Sequence, residues 1–174
     1  MKAAVLYANE DIRYTDYETP ETKPGTVKVR VRAAGICGSD VPRVLYNGAH
    51  YYPIVLGHEF AGDVVEVGEG VKGIKEGDVV SAAPLLPCMK CADCQNGNFS
   101  LCSHYGFIGS RQQGGFADYV VLPEVNAVKY SGSIPYEQAA MFEPSTVALH
   151  GLFCNGYSGG ECAAVIGCGT IGIF

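Results

Sequence analysis

The sequence predicts a mainly β, barrel-like domain that carries a zinc-binding lobe and a few helices, followed by the first strand of an α/β unit. Three observations predict it. Short alternating runs separated by glycine turns fill the first part of the chain, four cysteines crowd a polar stretch between residues 88 and 102, and after Ser133-Ile-Pro135 the pattern changes to helical runs and a Gly-x-Gly-x-x-Gly.

The elements follow in order. Val5 and Leu6 mark a short apolar strand, and residues 20–25, with two prolines and Gly25, form a turn. Residues 26–32 alternate apolar and mostly basic side chains, so Val27, Val29 and Val31 are expected to face inward. Further strand-like runs cover 59–67, 78–83 and 115–122, separated by Gly68, Gly70, Gly73, Gly77 and Gly114. Several short strands at this spacing close into a barrel or sandwich. Residues 136–141 read as a short helix. Residues 144–153 read as a longer one, with Pro144 in its first turn. Residues 162–167 read as a buried strand running into Gly167, Gly169 and Gly172.

Composition narrows the function. Of 174 residues, 48% are hydrophobic and 17% charged, which is the balance of a chain that buries a core. A net charge of −6 argues against a nucleic-acid surface. No apolar run approaches the roughly 20 residues of a membrane span. The first residues lack the apolar stretch of a secretory signal, so the start is expected to be that of a mature cytoplasmic protein. For the eight cysteines, metal binding and buried thiols are then better readings than disulfides.

Cys88, Cys91, Cys94 and Cys102 are spaced C-x2-C-x2-C-x7-C. Zinc takes four such thiolates at tetrahedral corners, and the polar residues between them cannot build a core of their own. An iron–sulfur cluster or two disulfides are the competing readings. A closed four-thiolate site has no open position, so its role is structural. Cys154, Cys162 and Cys168 lack metal spacing and are expected to be small buried residues. His104 and His150 are expected to be structural.

A second constellation is more dispersed. Cys37 stands in Cys37-Gly-Ser-Asp40, His58 in Gly57-His58-Glu59, and Glu143 opens the longer helical segment. Cys, His and a carboxylate with an open fourth position make a catalytic zinc site. Each residue alone is weak, since a lone Cys or His is usually structural.

The order Cys37-Gly-Ser-Asp40, Gly57-His58-Glu59, the four-cysteine lobe, Glu143-Pro144 and Gly167-x-Gly169-x-x-Gly172 resembles the zinc-dependent medium-chain alcohol and polyol dehydrogenases. The resemblance implies a GroES-like β-barrel catalytic domain over 1–142, with the structural zinc lobe at 84–110. Residues 143–174 would be a connecting helix and the truncated start of a Rossmann NAD-binding domain, with its helix missing. It covers the whole chain but about half of a family member, so the chain is expected to be inactive by itself.

Glutamate at position 143 resembles the sorbitol and polyol branch. The segments 37–43, 47–53, 84–88 and 107–111 resemble the galactitol-1-phosphate 5-dehydrogenase subfamily. This implies NAD-dependent oxidation of galactitol 1-phosphate to tagatose 6-phosphate, with two zinc ions per intact chain and a homo-oligomer at full length. Cys37, His58 and Glu143 would hold the catalytic zinc, with Glu59 as an alternate ligand. Asp40 would orient His58, and Ser39 would begin a proton relay. Some relatives end that relay with a histidine three residues after the serine, where this chain has Val-Pro-Arg. Gly167, Gly169 and Gly172 would cradle the NAD pyrophosphate. Arg43, His50 and Arg111 are candidates for the substrate phosphate. The alternatives are a sorbitol, other polyol or threonine dehydrogenase, or a stand-alone GroES-like zinc-binding module.

Overall fold

Alternation of buried valines with solvated residues produces the sheet that organises the molecule. The computed structural model describes residues 1–160 and 162–174. β1 (Lys2–Ala8) pairs antiparallel with β2 (Asp11–Asp16), and β4 (Ile54–Val55) pairs with its other edge. A five-stranded antiparallel sheet contains β3 (Thr26–Gly35), β5 (Glu59–Val67), β6 (Val79–Ala82), β9 (Tyr119–Pro123) and β10 (Ala127–Lys129), in the order β10-β6-β5-β3-β9. β7 (Leu85–Leu86) and β8 (Gly106–Phe107) form a small ribbon at the base of the lobe. The fold is mainly β, as the strand patterns imply.

The core lies on one face of the large sheet. Val27, Val29, Phe60, Val80 and Leu122 are buried there together with Ile108. Val31 faces the same core, as its alternation predicts, but is only half-buried. The register shifts between Val31 and Ala33, and such a bulge re-aims the side chains around it.

The run expected as a strand over 115–122 is a strand only from Tyr119. Its first half switches sheets instead. Gly114 N–H donates to Val55 O at 2.8 Å and Phe116 N–H to Leu56 O at 3.0 Å. Asp118 N–H then donates to Lys2 O at 2.9 Å, while Asp118 O accepts from Val31 N–H at 2.9 Å. One segment thus satisfies the edges of two sheets and joins them into one barrel-like body.

Among the described residues are five α-helical elements, α1 (Asp40–Pro42), α2 (Ala92–Gln95), α3 (Tyr136–Ala140), α4 (Phe142–Cys154) and α5 (Thr170–Ile173), with 3-10 turns at Phe99–Leu101 and Glu124–Asn126. α1 continues into a wider π-type turn over Arg43–Asn47. Ala139 and Ala140 of α3 pack on Ala61 of β5. Tyr136 donates to Asp63 at 2.6 Å, and Arg32 reaches the other oxygen of that carboxylate at 2.6 Å. Among the described residues no helix is long and apolar enough to cross a membrane.

The C-terminal expectations need correction. Residues 162–167 form no strand and are exposed, because no neighbouring strand is present among the described residues to pair with their backbone. Cys154, Cys162 and Cys168 are likewise exposed rather than buried. The helix expected to be missing after the glycine turn is present as the single turn α5.

Candidate metal centres

The first centre is built by strand pairing. Gly35, the last residue of β3, pairs with Glu59, the first of β5. The turn after β3 therefore lies beside the residues entering β5. Asp40 N–H donates to Cys37 O at 2.9 Å and Cys37 N–H to the Asp40 carboxylate at 3.2 Å, which closes the 37–40 turn and points Cys37 at its neighbours. The ligand atoms of Cys37, His58 and Glu59 all lie within 4.8 Å of one another.

Burial gives these groups unusual chemistry. Burial, and then the nearby charge of Arg43, depresses His58 to about 4, so the ring is neutral and able to bind a metal. Burial raises Asp40 to about 6, against the Cys37 N–H. His58 Nδ1 and Asp40 Oδ1 are both buried without a hydrogen-bond partner among the described residues and face each other at 3.9 Å. With Nδ1 turned to Asp40, Nε2 remains for a metal. A set of thiolate, neutral imidazole and carboxylate fits zinc.

Glu143, in the first turn of α4, is not one of the three close donors. It nevertheless belongs to the same acidic neighbourhood. Burial, then the negative charges of Glu59 and Asp40, push its carboxyl up to about 7. A cation entering among these carboxyls would relieve that mutual repulsion.

One aromatic ring packs on the histidine and another on the glycine before it, and neither contact is visible in a local motif. Phe107 packs edge-on to the His58 ring at 5.4 Å between centroids. Phe116 lies where a side chain on Gly57 would be, its ring atoms 2.5–2.8 Å from that ideal Cβ, and Gly57 itself has φ +93°. Gly57→Ala is therefore expected to destabilise the fold by about 2–4 kcal/mol through backbone strain and overpacking. Chemical denaturation checks this, and a loss below about 0.5 kcal/mol would show that the loop relaxes freely.

The second centre is the lobe. The sulfurs of Cys88, Cys91, Cys94 and Cys102 lie within 4.8 Å of one another, and Cys94 and Cys102 are buried. Backbone N–H groups converge on them. Those of Lys90 and Cys91 lower Cys88, and that of Cys94 draws Cys91 down to about 6. Burial pushes Cys94 up to about 12, a cost that a bound cation offsets. Four sulfurs surrounding one point fit a closed tetrahedral site.

The phosphate candidates also approach one another. Arg43 and His50 line a cleft of about 430 Å³ that also contains Ser39. Burial, then the positive charges of Arg111 and Arg43, lowers His50. Arg111 stacks 4.5 Å over the Tyr105 ring. The glycine turn lies beside the first centre: Gly167, Gly169 and Gly172 line a cavity of about 410 Å³ together with Cys37, Glu59 and Pro144. A Cβ on Gly172 would collide with the carbonyl of Gly167, so the third glycine is required by close backbone approach. His104 and His150 are exposed and outside both metal clusters.

Residues 23–133 match the family model of the alcohol dehydrogenase GroES-like domain. The chain belongs to that family. Its match to galactitol 1-phosphate 5-dehydrogenase of Escherichia coli (strain K12) is 43% identical over 174 residues, 99% of this chain and 50% of that protein. The crystal structure of galactitol-1-phosphate dehydrogenase from Escherichia coli superposes with a TM-score of 0.95 at 43% identity, again over 99% of this chain and 50% of that one. (R,R)-butanediol dehydrogenase of Bacillus subtilis (strain 168) is 39% identical over 188 residues, 99% of this chain and 53% of that protein. A cobalt- and zinc-bound thermostable alcohol dehydrogenase from Pyrobaculum aerophilum matches with a TM-score of 0.82 at 33% identity, over 90% of this chain and 49% of that one. The chain spans about half the length of the curated relatives it matches. As an alcohol dehydrogenase GroES-like domain, the barrel's role here is mechanical: the β3–β5 register holds Cys37 against His58 and Glu59.

Proposed function

We propose that this chain is the metal-binding, substrate-binding portion of an NAD-dependent dehydrogenase that oxidises galactitol 1-phosphate to tagatose 6-phosphate. The observation that carries this reading is the meeting of Cys37, His58 and Glu59 at one point, with the glycine turn lining the same cavity. A scaffold alone has no need of such a set beside a nucleotide-type turn. The catalytic barrel takes residues 1–142 and the cofactor-binding part begins at 143.

Cys37 and His58 bind the catalytic zinc, with Glu143 as third ligand and Glu59 as alternate. Bound there, zinc would supply Lewis acidity toward a substrate hydroxyl, and a nicotinamide cofactor would supply the hydride acceptor. Asp40 holds the neutral His58 ring in place, and Ser39 adds a hydroxyl beside Cys37. Gly167, Gly169 and Gly172 offer backbone amides to the pyrophosphate. Cys88, Cys91, Cys94 and Cys102 hold a structural zinc. Arg43 presents positive charge to the substrate phosphate from the cleft that contains Ser39, His50 lines the same cleft as a hydrogen-bonding ring, and Arg111 adds a second charge near His50.

The test is turnover of the zinc-loaded, full-length protein with NAD on galactitol 1-phosphate, sorbitol, 2,3-butanediol and threonine. Galactitol 1-phosphate is expected to have the highest kcat/KM, and Arg111→Ala is expected to lower it about tenfold or more by removing a charged hydrogen-bond donor. Turnover of sorbitol with none of galactitol 1-phosphate would sink the phosphate reading.

A further inference from the structure

Arg43 and Ser39 contact each other in a way that neither metal binding nor phosphate binding requires. Arg43 Nη1 donates to the carbonyl oxygen of Ser39 at 3.0 Å and to its hydroxyl oxygen at 2.7 Å. A guanidinium only donates, so Ser39 Oγ is the acceptor in that bond. The hydroxyl carries one hydrogen of its own, which must point elsewhere. The geometry places the Cys37 sulfur 3.3 Å from Oγ, and the Ser39 N–H reaches the same sulfur at 3.4 Å.

The other end of the turn is braced by the same side chain. Arg43 Nη1 lies 3.6 Å from Asp40 Oδ1, and the second oxygen of Asp40 accepts the Cys37 N–H at 3.2 Å. One guanidinium thus touches both residues that hold Cys37 in position. Its side chain is three-quarters covered, at 26% exposure, so the bonds are not those of a freely solvated arginine.

We propose that Arg43 is a positioning residue of the Cys37 centre, locking the Ser39 hydroxyl as a hydrogen-bond donor to the Cys37 sulfur. This rests on reading Cys37 as a metal ligand. In this arrangement the Ser39 hydroxyl tunes the ligand sulfur. To hand its hydrogen on, the hydroxyl would first have to give up its bond to the sulfur, and the guanidinium beside it has no acceptor atom to receive one. Hydrogen bonds to a ligating sulfur withdraw electron density from it and fix its direction, which sets both metal affinity and spectrum. Arg43 has further N–H groups besides Nη1, so the clamp leaves donors for an anion in the cleft.

Cobalt(II) provides the test without any need for turnover. The chain is loaded with zinc and exchanged with cobalt, and Cys37→Ser treated alike identifies the part of the thiolate-to-cobalt absorption that comes from Cys37. Ser39→Ala and Arg43→Gln are each expected to move that absorption to longer wavelength and to weaken cobalt binding about tenfold. The double variant is expected to shift no further than Ser39→Ala alone, because Arg43 acts on the sulfur through the hydroxyl that Ser39→Ala already removes. Arg43→Lys, which keeps a donor, is expected to recover part of the shift.

An unchanged band in Arg43→Gln, or shifts that add in the double variant, would overturn the clamp while leaving Cys37 a metal ligand. Absence of any Cys37-dependent band in the unmodified chain would overturn the metal-ligand reading itself.

Discussion

Cys94→Ser is expected to release the metal of the lobe and unfold residues 88–102, while the barrel strands stay paired. Among the described residues, short backbone turns and the four sulfurs are what gather this segment. Its regular structure is the four-residue α2 and one 3-10 turn over Phe99–Leu101. Phe99 is 40% exposed and Leu101 65%, so its large apolar side chains do not form a core. Metal binding to such sites contributes about 10–16 kcal/mol in isolated zinc-finger peptides, and a metal bound here would supply the folding energy of the lobe in the same way.

Cys94 is the residue to change because its sulfur is buried and lies 4.0 Å from that of Cys88. Serine at this position leaves a poor ligand in the centre of the set. Elemental analysis should show about two zinc ions in the parent and about one in the variant. Hydrogen exchange should show amides of residues 88–102 losing protection while β3 and β5 keep theirs. Iron in place of zinc would restore the cluster reading of the cysteines. A lobe that stays protected after losing its metal would refute the account of its stability.

Cys37→Ser is expected to remove the other zinc, leave folding nearly unchanged and reduce turnover of the full-length enzyme about a thousandfold. The substitution is nearly isosteric and Cys37 is only half-buried, so stability should shift by less than about 1 kcal/mol. The rate loss follows from the Lewis-acid contribution of several kcal/mol, at about 1.4 kcal/mol per tenfold. Metal content, denaturation midpoint and kcat measured on one preparation separate the two effects. Full activity with the zinc gone would end the assignment of the catalytic centre to these residues. Loss of both zinc ions would show that the barrel and lobe do not bind metal independently.

The two centres differ in how they were written in the sequence. The lobe was legible because its four ligands are close along the chain: a tight turn brings Cys88, Cys91 and Cys94 together, and α2 and the following 3-10 turn return Cys102 to them. The strand over 26–32 was legible from alternation, since a half-buried strand has period two whatever its neighbours, and the run over 59–67 from its valines bounded by glycine turns. The helix over Phe142–Cys154 was legible from Pro144 and the apolar run that follows.

The tertiary structure alone decided the rest. Cys37 and His58 meet because β3 and β5 pair in a register that sets Gly35 opposite Glu59, and that register includes two shifts that no local pattern displays. Residues 114–118 connect two sheets because both edges need partners there. Arg43 reaches Ser39 only through the helical turn between them, and Gly57 must be glycine only because Phe116 arrives from a distant segment. Residues 162–167 carry a strand pattern yet remain solvated, since a strand is stabilised by its neighbours and not by its own sequence. Local spacing and periodicity therefore determined the ligand types and most element types. Which distant residues share a site was set by sheet register and side-chain packing, which depend on the whole chain at once.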